Sequence, residues 1–123
     1  MSAKKMHAIP YAQFSTEMRS GKIIKIDDGF TKLLGYTEDD VKNGLVFKQF
    51  VPDLEYSEII AELREQFIEK KYACYRHDVV SKTGEIRMIV AFFTIQNKLL
   101  NGHRVLEVSV ADITDYTHFP ETK

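Results

Sequence analysis

The dipeptide Asn101-Gly102 constrains this chain more than any other pair of residues. It stands between two long runs rich in β-formers, Ile86 to Leu100 and His103 to Ile113. A two-residue Asn-Gly turn accepts positive φ at both positions and matches the right-handed twist of paired strands, so the two runs form an antiparallel hairpin. Counting outward from the turn sets Leu100 opposite His103, Gln96 opposite Glu107, Ile95 opposite Val108 and Phe93 opposite Val110. One face of the hairpin then carries Ile89, Ala91, Phe93, Ile95, Leu106, Val108 and Val110, an apolar set that marks the core. The other carries Met88, Val90, Phe92 and Thr94, grading to Gln96, Lys98, Glu107, Ser109 and Ala111.

The rest of the chain arranges itself around this hairpin. Tyr72 to Ser81 is a third strand, joined to Ile86 through the turn Lys82-Thr83-Gly84-Glu85. Its alternation puts Ala73, Tyr75, His77 and Val79 on one face. Nearer the N-terminus, Tyr11 to Met18 and Lys22 to Asp27 form a second hairpin about Arg19-Ser20-Gly21. Between the strand groups lie helices. Asp27 or Asp28 caps a short one carrying Phe30, Leu33 and Leu34, which Gly35 ends in a left-handed conformation. Thr37-Glu38-Asp39-Asp40 is a capping box for a second, and a third turn spans Phe47 to Phe50. Ser57 to Lys71 reads as the one longer helix, with Ile59, Ile60, Leu63 and Phe67 on one face and its acidic residues solvated. Runs of strands and runs of helices give an α+β fold: a five-stranded antiparallel sheet with short helices and one longer helix packed on one face.

Composition limits what such a domain can do. Seventeen basic and eighteen acidic residues in 123 leave a formal charge of −1, which supplies no electrostatic footprint for nucleic acid or anionic lipid. One cysteine makes no internal disulfide and fits a reducing, cytoplasmic compartment. The chain has no apolar run near 18 residues and no charged-then-apolar leader, so neither a membrane span nor a signal peptide is expected. His7, His77, His103 and His118 share no metal-ligand spacing, no nucleophile has an arguable base, and no glycine-rich phosphate loop occurs.

Three stretches together resemble a PAS domain, the sensory module of signalling proteins. Asp27-Asp28-Gly29-Phe30, Leu33, Gly35-Tyr36-Thr37, Asp40 and Gly44 resemble that family's Asn-x-Ala-Phe…Leu-x-Gly-Tyr…Glu-x-x-Gly region. Lys82-Thr83-Gly84 is similar to its Lys-Asp-Gly turn, and Asp112-Ile113-Thr114 matches its Asp-Ile-Thr signature. The departures are Asp27 for Asn, Thr83 for Asp and Met88 where many members have Trp. Pro120 also disfavours a continuous helix running on from Thr114. The resemblance covers residues 11–115, with 1–10 as an N-terminal flanking segment and 116–123 as a C-terminal linker or tail.

The resemblance implies a non-catalytic module that binds a small ligand or partner and signals to an effector such as a GGDEF-type cyclase or a histidine kinase, with Asp112, Ile113 and Thr114 as the output motif. It also implies which cofactors to exclude. Haem-binding members use a histidine on the long helix, and Ser57 to Lys71 has none. Members that bond flavin covalently carry a cysteine among the short helices, and 44–52 has none; Cys74, on a strand, reads as a small hydrophobe. No other cofactor is indicated. The expected pocket is one apolar space lined by Phe30, Leu34, Phe47, Phe50, Ile60, Leu63, Phe67, Ile89, Ala91, Phe93, Val108 and Val110, with His77 at its edge and Tyr75 as a further candidate. His77 reads first as a core histidine satisfied by a backbone partner and second as a ligand contact. The row Met88, Val90 and Phe92 on the outer sheet face calls for a cover, either 1–10 with Met6 and Ile9 or a second copy in a homodimer. The contrasting reading is a small α+β enzyme or ligand carrier that uses Tyr75 and His77 in a pocket between sheet and helices.

Overall fold

The structure, a computed structural model, describes residues 9–116. Met6 and the rest of 1–8, with the tail 117–123, lie outside the described residues. Two strands open the fold, β1 (Tyr11–Glu17) and β2 (Ile23–Ile26). Three short helical pieces follow: α1 (Asp28–Leu34), α2 (Glu38–Lys42) and a 3-10 turn, Phe47–Phe50. Next come α3 (Asp53–Gln66), then β3 (Tyr72–Val80), β4 (Ile86–Leu100) and β5 (His103–Asp112). The five strands make one antiparallel sheet in the order β2-β1-β5-β4-β3. The last strand therefore lies at the centre, flanked by the first and the fourth.

Local chemistry explains the short helices. Asp27 accepts the Phe30 N–H at 2.8 Å to cap α1, and the same oxygen takes the Gln13 N–H of β1 at 3.1 Å, tying helix to sheet. Gly29 sits so close to β1 that a Cβ there would meet the Tyr11 carbonyl oxygen at 2.2 Å. Only glycine permits that approach without a shift. Thr37 and Asp40 complete a capping box at α2. The Asp40 carboxylate also holds Lys82 at 3.0 Å, while the Lys82 N–H donates to the Leu34 carbonyl at 2.7 Å. The β3–β4 turn is thus strapped to both short helices. Backbone donation from Thr37, joined by Lys82, holds the Asp40 carboxyl below its usual range.

Three expectations change. Asn101 and Gly102 do turn with positive φ, 52° and 81°, and Leu100 faces His103. The register then slips between Ile95 and Leu99, so Phe93 pairs with Val108, Ile95 with Leu106 and Thr94 with Glu107. β3 pairs with β4 only as far as Thr94; beyond it β4 has one neighbour, and the Ile95 N–H turns to the Lys71 carbonyl instead. A slip of two residues moves partners but leaves every side chain on its face. The longer helix also begins four residues early and ends at Gln66. Pro52 supplies a helical φ of −57° at its start and Asp53 and Glu55 favour its first turn. Its end is set by Gln66, whose side-chain amide accepts the Cys74 N–H and donates to the Cys74 carbonyl, both at 2.9 Å.

The inner sheet face and the helices enclose a core in which Phe14, Phe30, Phe47 and Phe50 meet mainly edge to face, with ring centroids 5.3–6.3 Å apart. On the outer face Met88 and Val90 are half-buried, and Phe92 keeps 54% of its surface exposed.

Candidate functional site

Ten of the expected pocket residues surround one central space. Phe30 and Leu34 come from α1, Phe47 and Phe50 from the 3-10 turn and His77 from β3; Ile89, Ala91 and Phe93 come from β4, and Val108 and Val110 from β5. The remaining volume is about 10 Å³ for the centre of a water-sized sphere. That is room for one water at most, since the aromatic cluster fills the rest. Ala12, Phe14, Leu33 and Val79 also line it; Ala12 and Phe14 were detectable from the alternation of β1, which pairs them with Val110 and Val108.

Ile60, Leu63 and Phe67 do not join that space. With α3 displaced toward the N-terminus and laid beside β3, they line an open cleft between the helix and the β1–β2 turn. One half of the cleft, about 300 Å³, reaches from Thr16–Arg19 and Gly21 to Tyr56, Ile60 and Leu106. The other, about 330 Å³, runs on along Met18, Ile60, Leu63, Phe67, Ile68 and Leu106. Arg64 borders both halves, and Arg19 and Glu17 border the first. Phe47 and Phe93, crossed at 83° with centroids 6.5 Å apart, form the wall between cleft and central space. The cleft escapes a reading of sequence because turn and helix come from distant parts of the chain.

His77 is 6% exposed. Its Nδ1 lies 2.8 Å from the Asp78 carbonyl oxygen, an acceptor, so Nδ1 carries the proton and donates. Nε2 is left as a buried acceptor with no partner among the described residues. Burial pushes the His77 pKa down, against the opposing pull of the Asp78 carbonyl and carboxylate. Tyr75 stands 5.9 Å away by ring centroid and is half-buried outside the central lining.

At the far end of β5 Asp112 is 2% exposed. Arg87 donates to its Oδ2 through Nε at 2.9 Å and a terminal nitrogen at 2.6 Å, while Thr114 donates to its Oδ1 from N at 2.9 Å and Oγ1 at 2.6 Å. Burial alone would raise the Asp112 carboxyl, but the Thr114 donors and the Arg87 guanidinium outweigh it and hold it below the ordinary value. The Met88 N–H donates to Thr114 Oγ1 at 2.8 Å, and Ile113 N–H to the Met88 carbonyl at 2.9 Å, stitching the exit of β5 to β4. Thr114–Tyr116 then turns as a 3-10 helix.

Among the described residues no group of three or more His, Cys, Asp or Glu side chains could hold a metal ion; His7 and His118 lie outside them. No described helix is long and apolar enough to cross a membrane. No protein-family model matches the sequence, and no curated protein matches it. Solved structures do. The chain superposes on the PAS domain of a protein from Colwellia psychrerythraea with TM-score 0.73 at 19% identity, covering 87% of this chain and 89% of that one. The fold is that of a PAS domain. A second match is the sensory box histidine kinase/response regulator from Burkholderia thailandensis (TM-score 0.65, 13% identity, 88% and 80% covered). A third is the PAS domain of an HTR-like protein from Haloarcula marismortui (0.66, 18%, 85% and 87%). The PAS resemblance read from Asp27–Gly44, Lys82–Gly84 and Asp112–Thr114 therefore holds at the level of fold.

Proposed function

We propose that this chain is a non-catalytic sensory module: a small ligand enters the cleft beside α3, and the change passes along β5 to an effector. The observation that carries this reading is the course of β5. Leu106 lines both halves of the cleft, and the same central strand ends in the Asp112–Arg87–Thr114 lock. A ligand that shifts Leu106 acts on the element whose terminus leaves the domain. The solved structures with this fold include a sensor histidine kinase PAS domain, which supports the same role. The proposal takes residues 11–115 as the sensory unit, flanked by 1–10 and 116–123, in a cytoplasmic protein. Its effector is a GGDEF-type cyclase or a histidine kinase, in the same or a partner chain, and Met88, Val90 and Phe92 form a homodimer face.

The enzyme or carrier reading through Tyr75 and His77 has one observation in its favour, the bare His77 Nε2. The central space that His77 lines admits a water and no substrate, which weighs against it. The sensory reading is tested by thermal-shift screening of the purified protein against small metabolites. Ligands that raise the melting temperature of the intact chain should fail to do so for Ile60→Trp, which fills the cleft; ligands that act equally on both bind elsewhere, and the reading falls.

A further inference from the structure

The sheet's inner face is filled, its outer face belongs to the homodimer contact already proposed, and the Asp112 lock is internally satisfied. The cleft beside α3 differs from all three because its chemistry is uneven. Its wider half is walled by Met18, Ile60, Leu63, Phe67 and Leu106, and the single charged side chain there is Arg64. On α3 the spacing places Arg64 over the same stripe as Ile60, one turn before it, while Ile68 joins the lining from the turn that follows the helix. The acidic Glu58, Glu62 and Glu65 of the helix do not line the cleft, and Glu62 is engaged by the Gln66 amide at 2.9 Å. A second guanidinium, Arg19, borders the narrower half. Neither arginine has an ion-pair partner among the described residues. The one carboxylate in the lining, Glu17, accepts a hydrogen bond from the Ser20 hydroxyl. In a chain of net charge −1, two arginines without acidic partners at one apolar cleft are not the by-product of a basic surface.

Resting on the reading of this cleft as the ligand site, we propose that its ligand is an amphipathic carboxylate, with an apolar body laid along α3 and its charged end on Arg64. The guanidinium presents a planar fork of N–H donors that matches a carboxylate in two parallel bonds, which ammonium or neutral head groups cannot reproduce. The apolar walls contribute affinity by area, and 330 Å³ is within the range of small-molecule sites, roughly 300–1,000 Å³. Charge at the rim then decides between ligands of equal length: an acid is held, an alcohol is held by its chain alone, and an ammonium is repelled.

The experiment titrates the intact protein calorimetrically with decanoate, decanol and decyltrimethylammonium, each below its aggregation limit. Decanoate should bind about tenfold more tightly than decanol, the worth of a charge-assisted hydrogen bond at a partly solvated site, with the ammonium weakest. Arg64→Gln should bring decanoate down to the affinity of decanol and leave decanol unchanged. Met18→Trp, a change at an exposed rim position, should weaken both by narrowing the cleft. Equal binding of decanoate and decanol, both weakened by Met18→Trp, would overturn the carboxylate class while sparing the cleft. Binding of decanoate that ignores both Met18→Trp and Arg64→Gln, or no binding of any probe up to its own aggregation limit, would overturn the ligand class and the cleft reading together.

Discussion

His77 carries two opposed demands in one ring. Its Nδ1 has a backbone acceptor, whereas Nε2 is buried with no partner among the described residues, in a ring that helps to line an apolar space too small for more than one water. Protonation would put a charge there, which is why its pKa lies below that of a free histidine. The consequence for stability has a definite sign. Between the lowered folded pKa and the unfolded value near 6.5, the unfolded chain binds more protons, so stability falls as pH drops through that window. The slope approaches about 1.4 kcal/mol per pH unit. Urea unfolding at pH 7.5 and 5.5 should show this loss in the intact protein and a flatter profile in His77→Phe; parallel profiles would mean that His77 is not buried neutral. Alternation along β3 placed this residue on the inner face from sequence alone. Its tautomer could not be read that way, because it depends on the direction of one carbonyl in the folded strand.

At the scale of elements, turns and caps were legible and interruptions were not. The Asn101-Gly102 turn, the Asp27 cap, the Thr37–Asp40 box and the left-handed Gly35 each follow from local backbone chemistry. The two-residue slip on β4 has no local signature, because it arises where β3 stops beside Thr94. The start of α3 did have a signal, Pro52 followed by Asp53 and Glu55, which the apolar spacing from Ile59 onward masked. Its end serves a purpose. β3 is a sheet edge, and edges with free N–H and C=O groups recruit other chains. Gln66 satisfies both backbone groups of Cys74, and Glu55 accepts the Asp78 N–H at 3.3 Å. Gln66→Ala should expose the Cys74 amide, seen as faster hydrogen exchange there by NMR, and should promote association at high concentration. Unchanged exchange at Cys74 would show that the side chain is not the guard.

For the whole molecule, the division between filled centre and open cleft is the result that sequence periodicity least anticipated. Periodicity indicates which side chains face inward, and ten of the expected residues do line the central space, with Ala12, Phe14, Leu33 and Val79 beside them. It does not measure volume, so it merged the central space with the cleft that Ile60, Leu63 and Phe67 line. The outer face raises a separate question of assembly. Phe92 is 54% exposed beside half-buried Met88 and Val90, a patch that a two-fold contact would cover. Sedimentation of the intact chain at tens of micromolar should show a dimer, and Phe92→Glu should shift it toward monomer because an unpaired charge is costly to bury. A monomeric intact chain, or a dimer indifferent to Phe92→Glu, removes this face as the interface.

The central claim is that the cleft beside α3 and the exit of β5 are coupled through one strand. Amide hydrogen exchange of the intact protein, with and without a saturating ligand found by thermal shift, tests it most directly. The account predicts increased protection in 16–21 and 60–68, together with a change in exchange at 112–116. Protection confined to the cleft, with the Asp112–Thr114 exit exchanging as before, would contradict it.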